Sequence, residues 1–385
     1  MSASTTVGDK AGAGKATRVP FFDPAPMHAP LKASILDDIA ELIDSGAFTN
    51  ASWVARFESE FAAYCGIEHC VGVANGLDGL RLTLLAAGLE PGDEVIVPAN
   101  TFIATLEAVS QAGGVPVIVD ADERDRNISV EQVEAAITNR TRFVMPVHLY
   151  GQMADMVSLS GIAERARIDI VEDACQAHGA TRDGLRAGSV GRGSAFSFYP
   201  AKNLGAFGDA GAMVTADGEL ASTVRILREH GQRRKYEHEL KGFTSRLDSV
   251  QALALHHKLP LLDGWNAERT EAARYYSDRL AGVGDLELPP VAPNSSPVWH
   301  LYVVHTAKRD ELADYLRERE IGTSFHYPEP VHLSRAYTEL GYGRGAFPVA
   351  ERLAAGVISL PIFPGITAEQ LEAVGDAIES FYQRG

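Results

Sequence analysis

From Cys70 onward, short apolar runs alternate with longer amphipathic stretches, a pattern that predicts strands and helices in regular turn. Val71–Ala74, Glu94–Val97, Val115–Val119, Phe143–Val147 and Ile168–Val171 read as strands. Between them, Gly76–Ala87, Thr101–Ala112, Val130–Ile137 and Ser158–Arg167 read as helices, with turns such as Pro91-Gly92-Asp93 and Gly113-Gly114. Two further buried strands, Ala195–Phe198 and Ala212–Thr215, flank a glycine-punctuated loop. A helix at Glu219–His230 follows, then a long helical run from near Leu247 past Trp265 to about Leu280. The Pro-rich stretch from Leu288 to Pro297 breaks the pattern, after which Trp299–His305 reads as a strand and Arg309–Arg319, Gly345–Ala355 and Glu369–Tyr382 as helices. This predicts an α/β fold with a mostly parallel central sheet flanked by helices and a smaller C-terminal α/β domain. The expected division is a tail at 1–19, a large domain at 20–260 whose residues 20–60 are helical, and a linking helix with the small domain at 261–385.

At 385 residues the chain is long enough for two domains and a large core. The net charge of -16 argues against nucleic acid or an anionic membrane as partner, and leaves room for a local basic pocket. Cys65, Cys70 and Cys175 lack metal-binding spacing, so no metal is expected, and free thiols fit a cytoplasmic protein. No apolar run has the length of a membrane span, and the Ala-, Gly-, Ser- and Thr-rich first 19 residues lack the apolar centre of a secretory signal. Within them, Ala11-Gly12-Ala13-Gly14-Lys15-Ala16-Thr17 imitates a phosphate loop, but Asp9 stands where its first glycine belongs, Ala16 follows the lysine, and no strand precedes it.

Four stretches carry candidate chemistry, each placed at the carboxyl end of a predicted strand, where open parallel sheets bind ligands. Val73-Ala74-Asn75-Gly76-Leu77 runs from strand to helix, whose N-terminal N–H groups suit a phosphate; a purely structural turn is the plainer alternative. Phe102 is placed to stack on a flat ring, or to fill a core. Asp173 follows a buried strand and needs a partner such as a protonated pyridine nitrogen, while His178 reads as a local hydrogen-bonding residue. Ser197 offers a hydroxyl to a phosphate, and Lys202 offers an amine whose pKa partial burial would lower. An aldehyde, a ring, a pyridinium partner and a phosphate cradle together describe pyridoxal 5'-phosphate.

The motifs Glu172-Asp173-Ala-Cys-Gln176-Ala-His178-Gly, Ser197-Phe-Tyr-Pro-Ala-Lys202-Asn-Leu-Gly and His148-Leu-Tyr-Gly-Gln resemble those of the DegT/DnrJ/EryC1/StrS sugar aminotransferases. That family lies within the aspartate-aminotransferase-like fold type I pyridoxal phosphate enzymes, and the likeness runs from Val19 to the C-terminus. The resemblance implies that Lys202 is the Schiff-base lysine and proton shuttle, that Asp173 partners the pyridine nitrogen, and that Phe102 stacks on the ring. It also implies that Gln176 sits near the ring's phenolic oxygen, with Ser197 and the backbone of Gly76 and Leu77 on the phosphate. Two departures stand out. Asn75-Gly76-Leu77 replaces a usual Ser-Gly-Thr, and Thr244 replaces an Asn that in the family reaches the phosphate of the neighbouring subunit of a homodimer.

The stretches Ser45–Asn50 and Phe325–His332 resemble the branch that aminates carbon 3 of nucleotide-linked 6-deoxyhexoses. The resemblance therefore implies transfer of an amino group, from L-glutamate, to a dTDP-linked 3-keto sugar in deoxysugar biosynthesis. Tyr199, Lys235, His326 and Tyr327 are the candidate sugar-nucleotide residues, with Arg233 and Arg234 beside Lys235 able to meet a diphosphate. The rival readings are amination at carbon 4 and a non-catalytic regulator that binds the cofactor. A dehydrating branch carries histidine at the lysine position, and Lys202 argues against it.

Overall fold

The computed structural model describes residues 17–384. The phosphate-loop imitation lies outside the described residues except for Thr17. A seven-stranded sheet organises the chain: β1 (His69–Val73), β2 (Glu94–Pro98), β3 (Val115–Val119), β4 (Thr141–Val144), β5 (Asp169–Asp173), β6 (Gly193–Ser197) and β7 (Gly211–Thr215), in the order β1-β7-β6-β5-β4-β2-β3. Only β7 runs against the rest. It pairs antiparallel with β1 and β6, whereas the pairs from β6 through β5, β4 and β2 to β3 are parallel.

Because both faces of the sheet are covered, its strand centres are mostly apolar, and successive side chains enter different cores. Ile170 on β5 joins a core with Phe57, Phe61, Phe196 and Phe198, while its neighbour Val171 joins one with Leu80, Leu106 and Ala195. Phe61 meets Phe196 and Phe198 edge-on, at centroid distances of 5.0 and 5.1 Å. These cores draw in helix Ser52–Cys65, which lies N-terminal to the first strand and belongs to the segment expected to be helical. Side chains cap the covering helices: Asn75 accepts from Asp78 N, Asp155 from Ser158 N, and Asp217 from Glu219 N and Leu220 N.

A third core gathers Ala272, Tyr276 and Leu280 of helix Leu262–Leu280 with the antiparallel pair Tyr302–His305 and Val357–Leu360 and helix Ala368–Gln383. Val19 completes this core, paired beside Ile321.

Several elements differ from the sequence expectation. The run from Leu247 to Leu280 is two helices, Ser249–Lys258 and Leu262–Leu280, joined by a 3-10 turn at Leu259–Leu261, because Pro260 has no N–H to continue the ladder. The helix expected from Thr101 begins at Ala104, so Phe102 precedes it on an irregular segment. The helix expected from Gly345 begins at Pro348, whose fixed φ suits the first turn. Strand Val357–Leu360 was not anticipated. Among the described residues, no helix is long and apolar enough to cross a membrane, and no group of three or more His, Cys, Asp or Glu is placed to hold a metal ion.

Candidate active site

The strand order places the carboxyl ends of β1, β5 and β6 on one edge of the sheet, and a cavity of about 570 Å³ opens there. Lys202, Asp173, Gln176, Ser197, Tyr199, Phe102, Gly76, Leu77, His326 and Tyr327 all line it. Residues 251 positions apart in sequence, Gly76 and Tyr327, thus share one space.

Lys202 sits on the connection from β6 to β7. Its backbone N–H donates to Tyr199 O at 2.8 Å, which closes a turn, and Ala206 N returns to Phe198 O at 2.7 Å. The next residue, Asn203, is buried and donates to Val298 O at 2.7 Å and Asn266 Oδ1 at 2.8 Å. Buried Lys258 donates from Nζ to Gly205 O at 2.6 Å and lies 2.9 Å from His28 Nε2. Burial lowers the Lys258 pKa to about 8. A side chain at Gly205 would put its Cβ 2.3 Å from Pro200 O, so glycine lets the loop fold tightly behind the lysine. Burial also lowers the Lys202 pKa, against the opposing pull of Cys175 and Asp173.

Asp173 ends β5 and is buried. Its Oδ2 accepts from Thr105 Oγ1 at 2.8 Å and its Oδ1 from Cys175 N at 3.2 Å, which fixes the carboxylate plane. Thr105 also lies 2.8 Å from Thr101 Oγ1. Glu172, one residue earlier, points to the other face and is fully buried. It accepts from Gly191 N and Ser194 Oγ at 2.8 Å, Val190 N at 2.9 Å and Gly188 N at 3.0 Å, and meets His148 Nε2 at 2.8 Å. Burial alone would raise its pKa; hydrogen bonds from His148 and the backbone of Gly191 and Gly188 overcome burial and bring it down to about 2.

At the opposite wall, helix Gly76–Ala86 aims its N-terminus into the cavity beside Ser197. A Cβ on Gly76 would lie 2.6 Å from Cys175 Sγ and 2.8 Å from Ser197 Cβ, and one on Gly211 would lie 2.3 Å from the Asn75 carbonyl carbon. The glycines bring the helix end against β6 and β7, leaving N–H groups and one hydroxyl facing the same space. Asn75 uses its side chain as the helix cap, accepting from Asp78 N at 2.8 Å.

Aromatic groups cover the cavity. Phe102 is 50% exposed, with its ring centroid 5.5 Å from that of Tyr327. Gln176 donates from Nε2 to Tyr327 Oη at 3.2 Å and accepts from Tyr150 N at 2.8 Å. His326 bonds Ser359 Oγ through Nδ1 at 2.8 Å and stacks on Phe21 at 5.8 Å. Burial, then the charge of Lys202, lowers the His326 pKa to about 4.

Thr244 and Lys235 are not brought into this cavity by the single chain. Thr244 Oγ1 meets His230 Nε2 at 3.0 Å, and Lys235 lies exposed beside the hairpin strands Gln232–Arg234 and Glu237–His238. Arg233 on that hairpin pairs with Glu239 at 2.8 Å. His178 differs from expectation. Its ring packs at 5.3 Å from Phe196 and 5.7 Å from Phe198, and neither ring nitrogen has a hydrogen-bond partner of good geometry among the described residues. Burial, then the Lys202 charge, lowers its pKa to about 3. Thr105, His300, Arg269 and Phe21 belong to the site's walls or supports and were missed. Thr105 lies four residues after Thr101, the only local signal available for it.

This donor set fits pyridoxal phosphate: an amine of lowered pKa, an oriented carboxylate, an aromatic cover, and a helix N-terminus with a serine hydroxyl at the far wall. Comparison with known proteins points the same way. The model of the DegT/DnrJ/EryC1/StrS aminotransferase family matches residues 30–379. The chain is 48% identical over 367 residues to the dTDP-3-amino-3,4,6-trideoxy-alpha-D-glucose transaminase of Streptomyces venezuelae, covering 95% of this chain and 97% of that one. Among solved structures it is similar to S. venezuelae DesV in complex with a ketimine intermediate, with a TM-score of 0.93, 48% identity, and coverage of 96% of this chain and 99% of that one. It is also similar to NtdA from Bacillus subtilis with bound cofactor PMP, with a TM-score of 0.88, 31% identity, and coverage of 95% and 85%. On the family match and these relatives, the chain belongs to the DegT/DnrJ/EryC1/StrS aminotransferase family.

Proposed function

We propose that this protein is a pyridoxal phosphate-dependent sugar aminotransferase that moves an amino group from an amino acid, L-glutamate, to carbon 3 of a dTDP-linked 3-keto-6-deoxyhexose. The observation that carries the reading is the meeting of Lys202, oriented Asp173 and the Gly76 helix end in one cavity. The substrate follows from the similarity to the S. venezuelae transaminase and from the Ser45–Asn50 and Phe325–His332 stretches. The reading includes a homodimer in the cytoplasm, in which the exposed hairpin around Lys235 and Thr244 serves the partner's cavity.

When bound, pyridoxal phosphate supplies an electrophilic aldehyde carbon and a conjugated ring that draws electron density from an amine-bearing carbon. Asp173, held by Thr105 and the Cys175 N–H, would keep a proton on the ring nitrogen. Ser197 Oγ and the N–H groups of Gly76 and Leu77 would hold the phosphate, with the helix dipole adding to their attraction. Phe102 would cover one face of the ring and Gln176 would meet its phenolic oxygen, since both line the cavity. Lys202 has a lowered pKa, so more of its amine is unprotonated near neutral pH; that amine would hold the cofactor and could carry a proton to and from the reacting carbon. Tyr199, His326 and Tyr327 stand where they can contact the sugar, and the aromatic cover limits water.

The test is a panel of keto sugar nucleotides given to purified enzyme with glutamate. Amination of the dTDP-linked 3-keto sugar is expected. Activity confined to the 4-keto isomer would overturn the carbon 3 assignment, and binding of cofactor without amine exchange would favour a regulator.

A further inference from the structure

Arg269 lies on helix Leu262–Leu280 and lines the cavity, yet it is only 1% exposed. All three of its hydrogen bonds leave from Nη1, to Trp299 O at 3.2 Å, His300 O at 3.3 Å and Ile362 O at 2.9 Å. Its Nε is buried without a partner among the described residues. Burial alone lowers its pKa, to about 10, with no neighbouring acid to oppose the shift. The half-buried arginines carry acid partners: Arg182 reaches Asp125 at 2.8 Å, Arg228 reaches Glu58 at 2.6 Å and Arg81 reaches Asp78 at 2.6 Å; the other buried arginine, Arg126, bonds the carbonyls of Val303 and Leu288 and does not line this cavity. An unmatched buried guanidinium is costly, and an anionic ligand arriving in the cavity would remove that cost.

We infer that Arg269 binds the carboxylate of the amino donor through its free Nε and Nη2 edge, an inference that rests on the aminotransferase reading above. That edge is the planar fork that meets a carboxylate with two parallel hydrogen bonds. Its position selects which anion. One of the three carbonyls it holds belongs to His300, whose Nδ1 lies 3.2 Å from the side chain of Asn203, the residue after Lys202. The charges of both Lys202 and Arg269 push the His300 pKa down, after burial, so His300 feels both cations. An amino acid carries its carboxylate on the same carbon as the amine that must react near Lys202, so the two groups arrive together. A sugar diphosphate is separated from the reacting carbon by ring atoms. Phe21, Phe22 and Ile362 line the same cavity and lower its dielectric, which strengthens the pair.

The experiment compares the wild-type holoenzyme with Arg269→Lys and Arg269→Met. Calorimetry with glutarate, an unreactive dicarboxylate, measures binding without turnover. Single-turnover spectra follow amine uptake from glutamate and from 4-aminobutyrate, which lacks the α-carboxylate, and then amine delivery to the sugar nucleotide. Loss of a charged, bidentate contact is expected to weaken glutamate and glutarate binding about 100-fold in Arg269→Met, with partial recovery in Arg269→Lys. The preference for glutamate over 4-aminobutyrate should collapse, and the KM for glutamate should rise far more than that for the sugar nucleotide. Retained glutarate affinity, or equal damage to both half-reactions with a lowered Tm, would mark Arg269 as a structural anchor and overturn the inference. A wild-type enzyme that binds glutarate through Arg269 but exchanges no amine would leave the inference standing and defeat the aminotransferase reading.

Discussion

Glu172→Gln removes the charge from a carboxylate with no solvent contact that ties β5 to the Gly188–Ser194 segment and to His148. Its hydrogen bonds bring the pKa from 4.5 to about 2, a difference equivalent to roughly 3 kcal/mol of folding stability at neutral pH. The amide replaces one acceptor oxygen by an NH2 group. At the Oε1 position it would face three donors, Val190 N, Gly191 N and Ser194 Oγ, so it must take the Oε2 position. There it meets Gly188 N–H and also His148 Nε2, a donor because Ala154 N already donates to Nδ1 at 3.2 Å. Stranding buried donors costs about 1–3 kcal/mol each, so a total loss of about 3–5 kcal/mol is expected at pH 7. The folded pKa is depressed, so the charge contribution is present above the unfolded value of 4.5 and is lost as pH falls toward 2. Urea unfolding at pH 7 and pH 3 should show the gap between wild type and variant narrowing at the lower pH. A gap below about 1 kcal/mol at pH 7, or one that does not change with pH, would refute the reasoning.

Two other substitutions probe the cofactor's attachments. Gly76→Ala introduces a Cβ 2.6 Å from Cys175 Sγ and should push the helix end away from Ser197, weakening pyridoxal phosphate binding about 10-fold or more in a fluorescence titration; unchanged affinity would remove the helix end from the phosphate site. Thr105→Val keeps the shape but deletes the 2.8 Å hydrogen bond to Asp173. It should lower the rate of the glutamate half-reaction about 10-fold while leaving the protein folded by circular dichroism, and an unchanged rate would mean that Asp173 needs no such orientation.

The sheet was legible because its strands are apolar runs bounded by glycine, proline and asparagine, and because the loops that follow them carry the chemistry at the carboxyl ends. Asp173 and Lys202 were visible for that reason. Pro260 was readable as a helix break, yet apolar periodicity on both sides concealed it within one long run. Thr105 and Arg269 were less accessible: each looks like an ordinary helix residue, and only the packing of distant segments shows what its side chain faces. His178 misled in the opposite direction, since histidine suggests hydrogen bonding while the phenylalanines around it come from a strand and its continuation nearly 20 residues later.

The central claim is that Lys202 holds the cofactor. Borohydride reduction of the holoenzyme, followed by peptide mass spectrometry, tests it most directly by fixing the bond between cofactor and lysine. A phosphopyridoxyl group on the peptide containing Lys202, absent in Lys202→Ala, is the predicted result; modification of a different lysine, or of none, would contradict it.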